Sequence, residues 1–204
     1  MKKFVLLIIV FAAAGFLAYK LLSDKEPLTT TPKDKPLSIG RNSGSFNTAF
    51  TLFLNDYFSM KDALVQWDSV KADQAAYTLA AKADSLPLNQ LKADSNIVLT
   101  AQSLAASVSS EAKGFLGETS LEAKRRAFNM LTDEIYNLIR TVRYDGETIY
   151  HMRCPMAFHD SEQAFWLSNS SKIINPYLGD KHPVFKNKME GCGEIDDSLN
   201  FATK

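Results

Sequence analysis

Large apolar residues recur at steps of three and four along the first stretch that carries a regular pattern: Phe46, Phe50, Phe53, Tyr57, Met60, Leu64 and Trp67. That spacing is the apolar stripe of an amphipathic helix. Asp68 and Ser69 supply cap chemistry for a second helix, in which Ala72, Ala76, Leu79, Ala83 and Leu86 repeat the spacing with small residues. Leu86-Pro87 stops it, because the residue before a proline is pushed out of the helical region. A third helix is predicted from about Ser95 to Lys113, with Ile97, Ala101, Leu104 and Val108 inward and Gly114 and Gly117 at its end. Thr119-Ser120-Leu121-Glu122 reads as a capping box with Thr119 as the cap. The fourth helix follows, with Leu121, Phe128, Leu131, Ile135, Leu138 and Val142 on one face. Four such helices with short links predict a mainly α fold, an antiparallel four-helix up-down bundle over residues 46–143. The aromatic stripe of the first helix is read as core, since every amphipathic helix needs one. No helix carries the paired Glu-x-x-His of a di-iron bundle.

After Tyr144-Asp145-Gly146, a turn signal, the pattern changes. Thr148-Ile149-Tyr150-His151-Met152 favours a short strand, and Ala164-Phe165-Trp166-Leu167 offers a second. The remainder of 144–204 reads as irregular chain, packed on the bundle by Phe165, Trp166 and Tyr177. A long irregular segment in a compact domain needs something to hold it, and such segments are often functional.

The N-terminus is different again. Met1-Lys2-Lys3 precedes an uncharged run from Phe4 to Tyr19, then Lys20-Leu21-Leu22. Residues 1–22 read as a signal anchor (a single transmembrane helix) or a cleaved signal peptide, with the positive charge kept in the cytoplasm. No cysteine follows the run, which excludes lipoprotein acylation. Residues 23–45 are rich in Thr, Pro, Lys and Ser and read as a flexible tether. Either reading places the rest of the chain on the periplasmic side of the inner membrane or free in the periplasm. The 204 residues hold 23 basic and 23 acidic side chains, and no basic stripe stands out, so a nucleic-acid partner is not expected.

The chemistry gathers around the two cysteines. Cys154 lies in His151-Met152-Arg153-Cys154-Pro155-Met156, and Cys192 in Lys188-Met189-Glu190-Gly191-Cys192-Gly193. Thiolate, thioether and imidazole form the soft ligand set that favours Cu(I). The candidate metal ligands are Cys154, Met156, Met189, Cys192 and His151. On a strand, His151 and Cys154 point to opposite faces, so His151 ligates only if the chain bends at Arg153. His159 and His182, in polar loops, are weaker candidates. An even pair of cysteines in an exported protein equally suits a Cys154–Cys192 disulfide. Zinc is a poor fit without Cys-x-x-Cys pairs. No phosphate loop, serine elbow or zincin motif appears, and an enzyme is not expected.

Cys154-Pro155-Met156-Ala157, Trp166-Leu167-Ser168, Ile174-Asn175-Pro176-Tyr177-x-Gly179, Met189 and Cys192-Gly193 together resemble a family of uncharacterised bacterial extracytoplasmic domains. That family occurs alone behind a signal sequence and fused to periplasmic adaptors of copper/silver-type heavy-metal efflux pumps. In the family pattern Gly-Asp-Lys runs almost directly into the Met and Cys-Gly; here His182-Pro183-Val184-Phe185-Lys186-Asn187 intervenes. The resemblance implies metal handling by association. The expected function is binding of Cu(I) or Ag(I) outside the cytoplasm, buffering it or delivering it to an efflux adaptor. The alternative is a protein-interaction domain whose loop is locked by a disulfide and whose docking face is formed by Phe158, Phe165, Trp166 and Tyr177.

Overall fold

A computed structural model describes residues 41–159, 161–184 and 186–202. The expected anchor or signal at 1–22 and most of the tether at 23–45 lie outside them. Among the described residues no helix is long and apolar enough to cross a membrane.

Four helices come first: α1 (Gly44–Val65), α2 (Ser69–Asp84), α3 (Ser95–Gly117) and α4 (Leu121–Val142), each packed along the next in sequence. Ser43 caps α1 by accepting from Phe46 N at 3.1 Å, and Asp68 caps α2 by accepting from Lys71 N at 3.0 Å. The first six residues of the predicted α1 stripe, Phe46 to Leu64, are fully buried. Trp67 falls just past the helix, half-buried and in the left-handed region at φ 58°.

Two expectations are corrected here. The cap of α4 is Ser120, which accepts from Ala123 N at 3.1 Å, not Thr119. Glu122 Oε1 instead faces Arg126 and His159, each at 3.3 Å, and charge-assisted partners outcompete a backbone N–H. Helix α3 runs through Gly114 to Gly117. Phe115, wholly buried, holds that last turn, and the buried face shifts to Ala101, Ala105, Val108, Ala112 and Phe115, leaving Ile97 and Leu104 half-buried.

The C-terminal segment is more ordered than its composition suggests. It forms three strands rather than one or two: β1 (Ile149–Phe158), β2 (Glu162–Ser168) and β3 (Glu194–Leu199). They make one antiparallel sheet in the order β2-β1-β3. Strand β3 reads Glu-Ile-Asp-Asp-Ser-Leu, which intrinsic preference argues against; at an edge, its charged side chains stay in water. One extra residue, Asp196, bulges between the pairs His151↔Asp197 and Met152↔Ile195. A second irregularity follows Cys154: β1 advances from Cys154 to Phe158 while β2 advances only from Ala164 to Glu162. Pro155 sits there, where the ladder is interrupted and its missing N–H is not needed.

The outer edge of β2 is sealed by side chains of α1, α4 and the turn at Tyr177. Phe165 N donates to Asn129 Oδ1 at 2.8 Å, and the Phe165 carbonyl accepts from the Tyr177 hydroxyl. Leu167 N donates to the Tyr57 hydroxyl at 3.0 Å. Thr132 Oγ1 gives its hydrogen to Phe128 O, so the Tyr57 hydroxyl must donate to Thr132 across 2.7 Å. This relay ties β2, α1 and α4 through one buried polar chain, and burial raises the Tyr57 pKa.

Tyr177 is the hub between sheet and helices. Its ring meets Phe158, Phe128 and Trp166 at centroid distances of 5.4, 6.0 and 6.3 Å. Phe158, Trp166 and Tyr177 are buried and Phe165 half-buried. The aromatic group proposed above as a docking face is therefore interior packing, because closing the sheet onto the helices consumes it.

Candidate functional site

Cys154 lies on the central strand, wholly buried opposite Ala164. Cys192 reaches it from a separate loop. A short 3-10 turn, Asn187–Met189, bends the chain, and Cys192 N donates to Met189 O at 3.0 Å. The two sulfurs stand 3.7 Å apart, both as free thiols. Residues 38 apart in sequence thus meet as a pair on the sheet.

Asn175 and Gly193 hold this geometry. Asn175 is fully buried and uses both ends of its amide. Its Oδ1 accepts from Tyr177 N at 2.8 Å and Leu178 N at 3.0 Å, while Nδ2 donates to Cys192 O at 2.7 Å. Its backbone N adds a bond to Glu190 O at 2.7 Å. Gly193 has φ +145°, and a Cβ there would lie 2.7 Å from Trp166 Cη2 and 2.8 Å from Arg153 O. Only glycine lets the chain pass this close to β1 and deliver Cys192 to Cys154. Beyond it, Arg153 and Glu194 form an ion pair between β1 and β3.

Cys192 keeps its proton at neutral pH. Burial, then the Cys154 charge, pushes the Cys192 thiol from 9.0 up to about 11. Half-buried Cys192 still borders solvent, so the pair is reachable from outside.

The structure brings some of the expected ligands together and separates others. Met156 lies in the β1 irregularity, two residues from Cys154; Met189 ends the turn before Cys192. Both are half-buried and pack against the same core as Cys192. His151 is elsewhere. The register from Tyr150 to Cys154 against β2 is unbroken, so no bend at Arg153 turns His151 toward Cys154. Its ring is stacked between Tyr136 and Phe165 at 4.3 and 4.8 Å, and Nδ1 meets Asp196 Oδ2 at 3.1 Å. His159 and His182 line a different cleft with Trp67 and Arg125. Among the described residues, no three His, Cys, Asp or Glu side chains group as they would around a metal. The donor set at the pair is sulfur alone, which is the chemistry of a soft monovalent ion rather than of zinc or a hard cation.

Sequence reasoning missed Asn175 and Gly193 as organisers of the pair. The signal was present in Asn-Pro-Tyr and Cys-Gly, a buried side-chain amide and a glycine at a close approach, but neither shows its partner without the fold.

A family model described as "Protein of unknown function (DUF3347)" matches residues 53–146. The match runs from within α1 to the turn before β1, and Cys154 and Cys192 lie beyond it. No curated protein and no solved structure matches the chain.

Proposed function

We propose that this chain is a soft-metal-binding domain that holds Cu(I) or Ag(I) between Cys154 and Cys192, outside the cytoplasm. What carries the reading is the pair itself: two free thiols 3.7 Å apart, drawn together from a strand and a distant loop. Met156, two residues from Cys154, and Met189, three before Cys192, are the thioethers nearest in sequence to complete the ligand set. Each thiol gives up its proton as it binds the ion, so metal uptake releases protons. In this reading the N-terminal segment carries the domain to the periplasmic side of the inner membrane, and the four helices, as an up-down bundle, serve as its rigid support. The domain buffers the ion or passes it to a heavy-metal efflux adaptor, and no catalytic step is assigned.

A competition titration of reduced protein against a Cu(I) chelator, under nitrogen, tests this. Cys154→Ser and Cys192→Ser should each lose most of the affinity, and Met156→Ala and Met189→Ala should weaken it less. Unchanged affinity in the double cysteine variant rejects the site. The same proximity favours one other reading, a Cys154–Cys192 disulfide that locks the loop of an interaction domain. Intact mass of protein taken from its own compartment separates the two: the bridged form is lighter by two hydrogens and takes up Cu(I) only after reduction.

A further inference from the structure

A second cleft is walled by the chain just past α1, the start of α4, the end of β1 and the turns around Tyr177 and His182. Trp67, Arg125, Phe158, His159, Leu178 and His182 are among the residues that line a cleft of about 230 Å³. Its distinguishing feature is Arg125. The side chain is 6 % exposed, yet among the described residues it has no carboxylate partner. Its Nε donates to Pro176 O at 3.0 Å and one Nη2 hydrogen to Leu64 O at 3.2 Å. The guanidinium carbon sits 4.3 Å from the Trp67 ring centre, so one face of the fork is covered by indole. Nη1 makes no hydrogen bond to the described residues and is not sealed from solvent.

A buried cation whose acceptors among the described residues are all neutral carbonyls is electrostatically incomplete. Burial lowers the Arg125 pKa to about 10, the direction expected of a charge missing its counter-ion. The rest of the cleft suits an anion. The first turn of α4, Leu121 and Glu122, borders it with the positive end of a 22-residue helix. Among the described residues, the one acidic side chain on the wall, Glu122, is already engaged by Arg126 and His159. Trp67, Phe158 and Leu178 give the space apolar walls.

We propose that this cleft binds a small organic carboxylate, with its anionic end on Arg125 and its apolar body against Trp67. A planar fork with free N–H groups matches a carboxylate, and the apolar walls select against a bare inorganic anion. The site is independent of the thiol pair and does not rest on metal binding.

The chain has two tryptophans, Trp67 and Trp166, and the Trp67 indole N–H, bonded to Leu178 O at 3.2 Å, belongs to the cleft. Full-length protein in detergent, labelled with 15N at the indoles, is titrated with sodium benzoate, with sodium chloride at equal ionic strength as control and Trp166→Phe to assign the signals. The expected result is a saturable shift of the Trp67 signal alone. Glu122→Gln, which removes the wall's own negative charge, should tighten benzoate about threefold. Arg125→Gln should abolish the shift; if that variant fails to fold, Glu122→Gln carries the test. A Trp67 signal that moves no more with benzoate than with chloride overturns the proposal, as does Glu122→Gln binding benzoate no better than the parent. Inorganic phosphate saturating the signal where benzoate does not overturns the carboxylate assignment.

Discussion

The side-chain amide of Asn175 donates to the carbonyl of Cys192 at 2.7 Å while its Oδ1 accepts from two backbone N–H groups of the following turn. One buried residue thereby locks the loop that carries Cys192 to the turn that carries Tyr177. The thiol pair depends on this clamp as much as on the cysteines.

Asn175→Ala removes three side-chain hydrogen bonds and leaves buried backbone groups without partners. It should destabilise the domain by about 3 kcal/mol, a sum of incomplete desolvation penalties. It should also slow formation of a Cys154–Cys192 disulfide under mild oxidation, because Cys192 loses its position. Denaturant unfolding and thiol titration measure the two effects. A variant as stable as the parent with an equally reactive pair contradicts the clamp.

Gly193→Ala places a methyl group against Trp166 and the Arg153 carbonyl in a backbone region that L side chains rarely adopt. The expected loss is about 2 kcal/mol, from strain and displaced packing. Gly191→Ala, with nothing within 4 Å of its added carbon, serves as the neutral neighbour. Thermal melts of the two variants should differ clearly; equal melting would mean that the chain relaxes freely at Gly193.

The raised Cys192 pKa has a stability consequence. Below the unfolded thiol's value, near 9.0, both states bind the proton and Cys192 adds no pH dependence. Between 9.0 and about 11 the unfolded thiol is ionised while the folded one is still protonated, so stability falls as pH rises through that window. Cys192→Ser removes this contribution. Denaturation of parent and variant at matched pH should show the parent losing stability faster in the alkaline window. Parallel curves would contradict the burial of the thiol.

In the proposed soft-metal reading, the same shift sets the pH dependence of uptake. With Cys192 protonated at neutral pH, bound Cu(I) must displace its proton, so apparent affinity should rise by at least about tenfold per pH unit. Chelator competition at several pH values measures the slope. A flat profile would mean that Cys192 does not enter as thiolate.

His151 provides a negative control. It faces away from Cys154 and is held by Asp196, Tyr136 and Phe165. His151→Gln should leave Cu(I) affinity within about twofold, while loosening β3 through loss of the contact to Asp196. A large drop in affinity would place His151 among the ligands after all.

The amino-acid sequence by itself determined the four helices. Their stripes, caps and stops are local, with a period fixed by helix geometry, so Phe46 to Leu64 and Phe128 to Val142 could be placed inward without knowing their neighbours. It also marked the residue types of the candidate site, Cys154, Met156, Met189 and Cys192, from their chemistry. Only the tertiary structure decided which of these meet. Strand β3 is polar and exists because β1 offers it an edge; the bulge at Asp196 and the seal of Asn129, Tyr57 and Tyr177 along β2 are pairings across long sequence separations. The 3.7 Å approach of Cys154 and Cys192 and the isolation of His151 follow from strand register. A one-residue slip would reverse the face of every side chain, and register is set by all the packing at once.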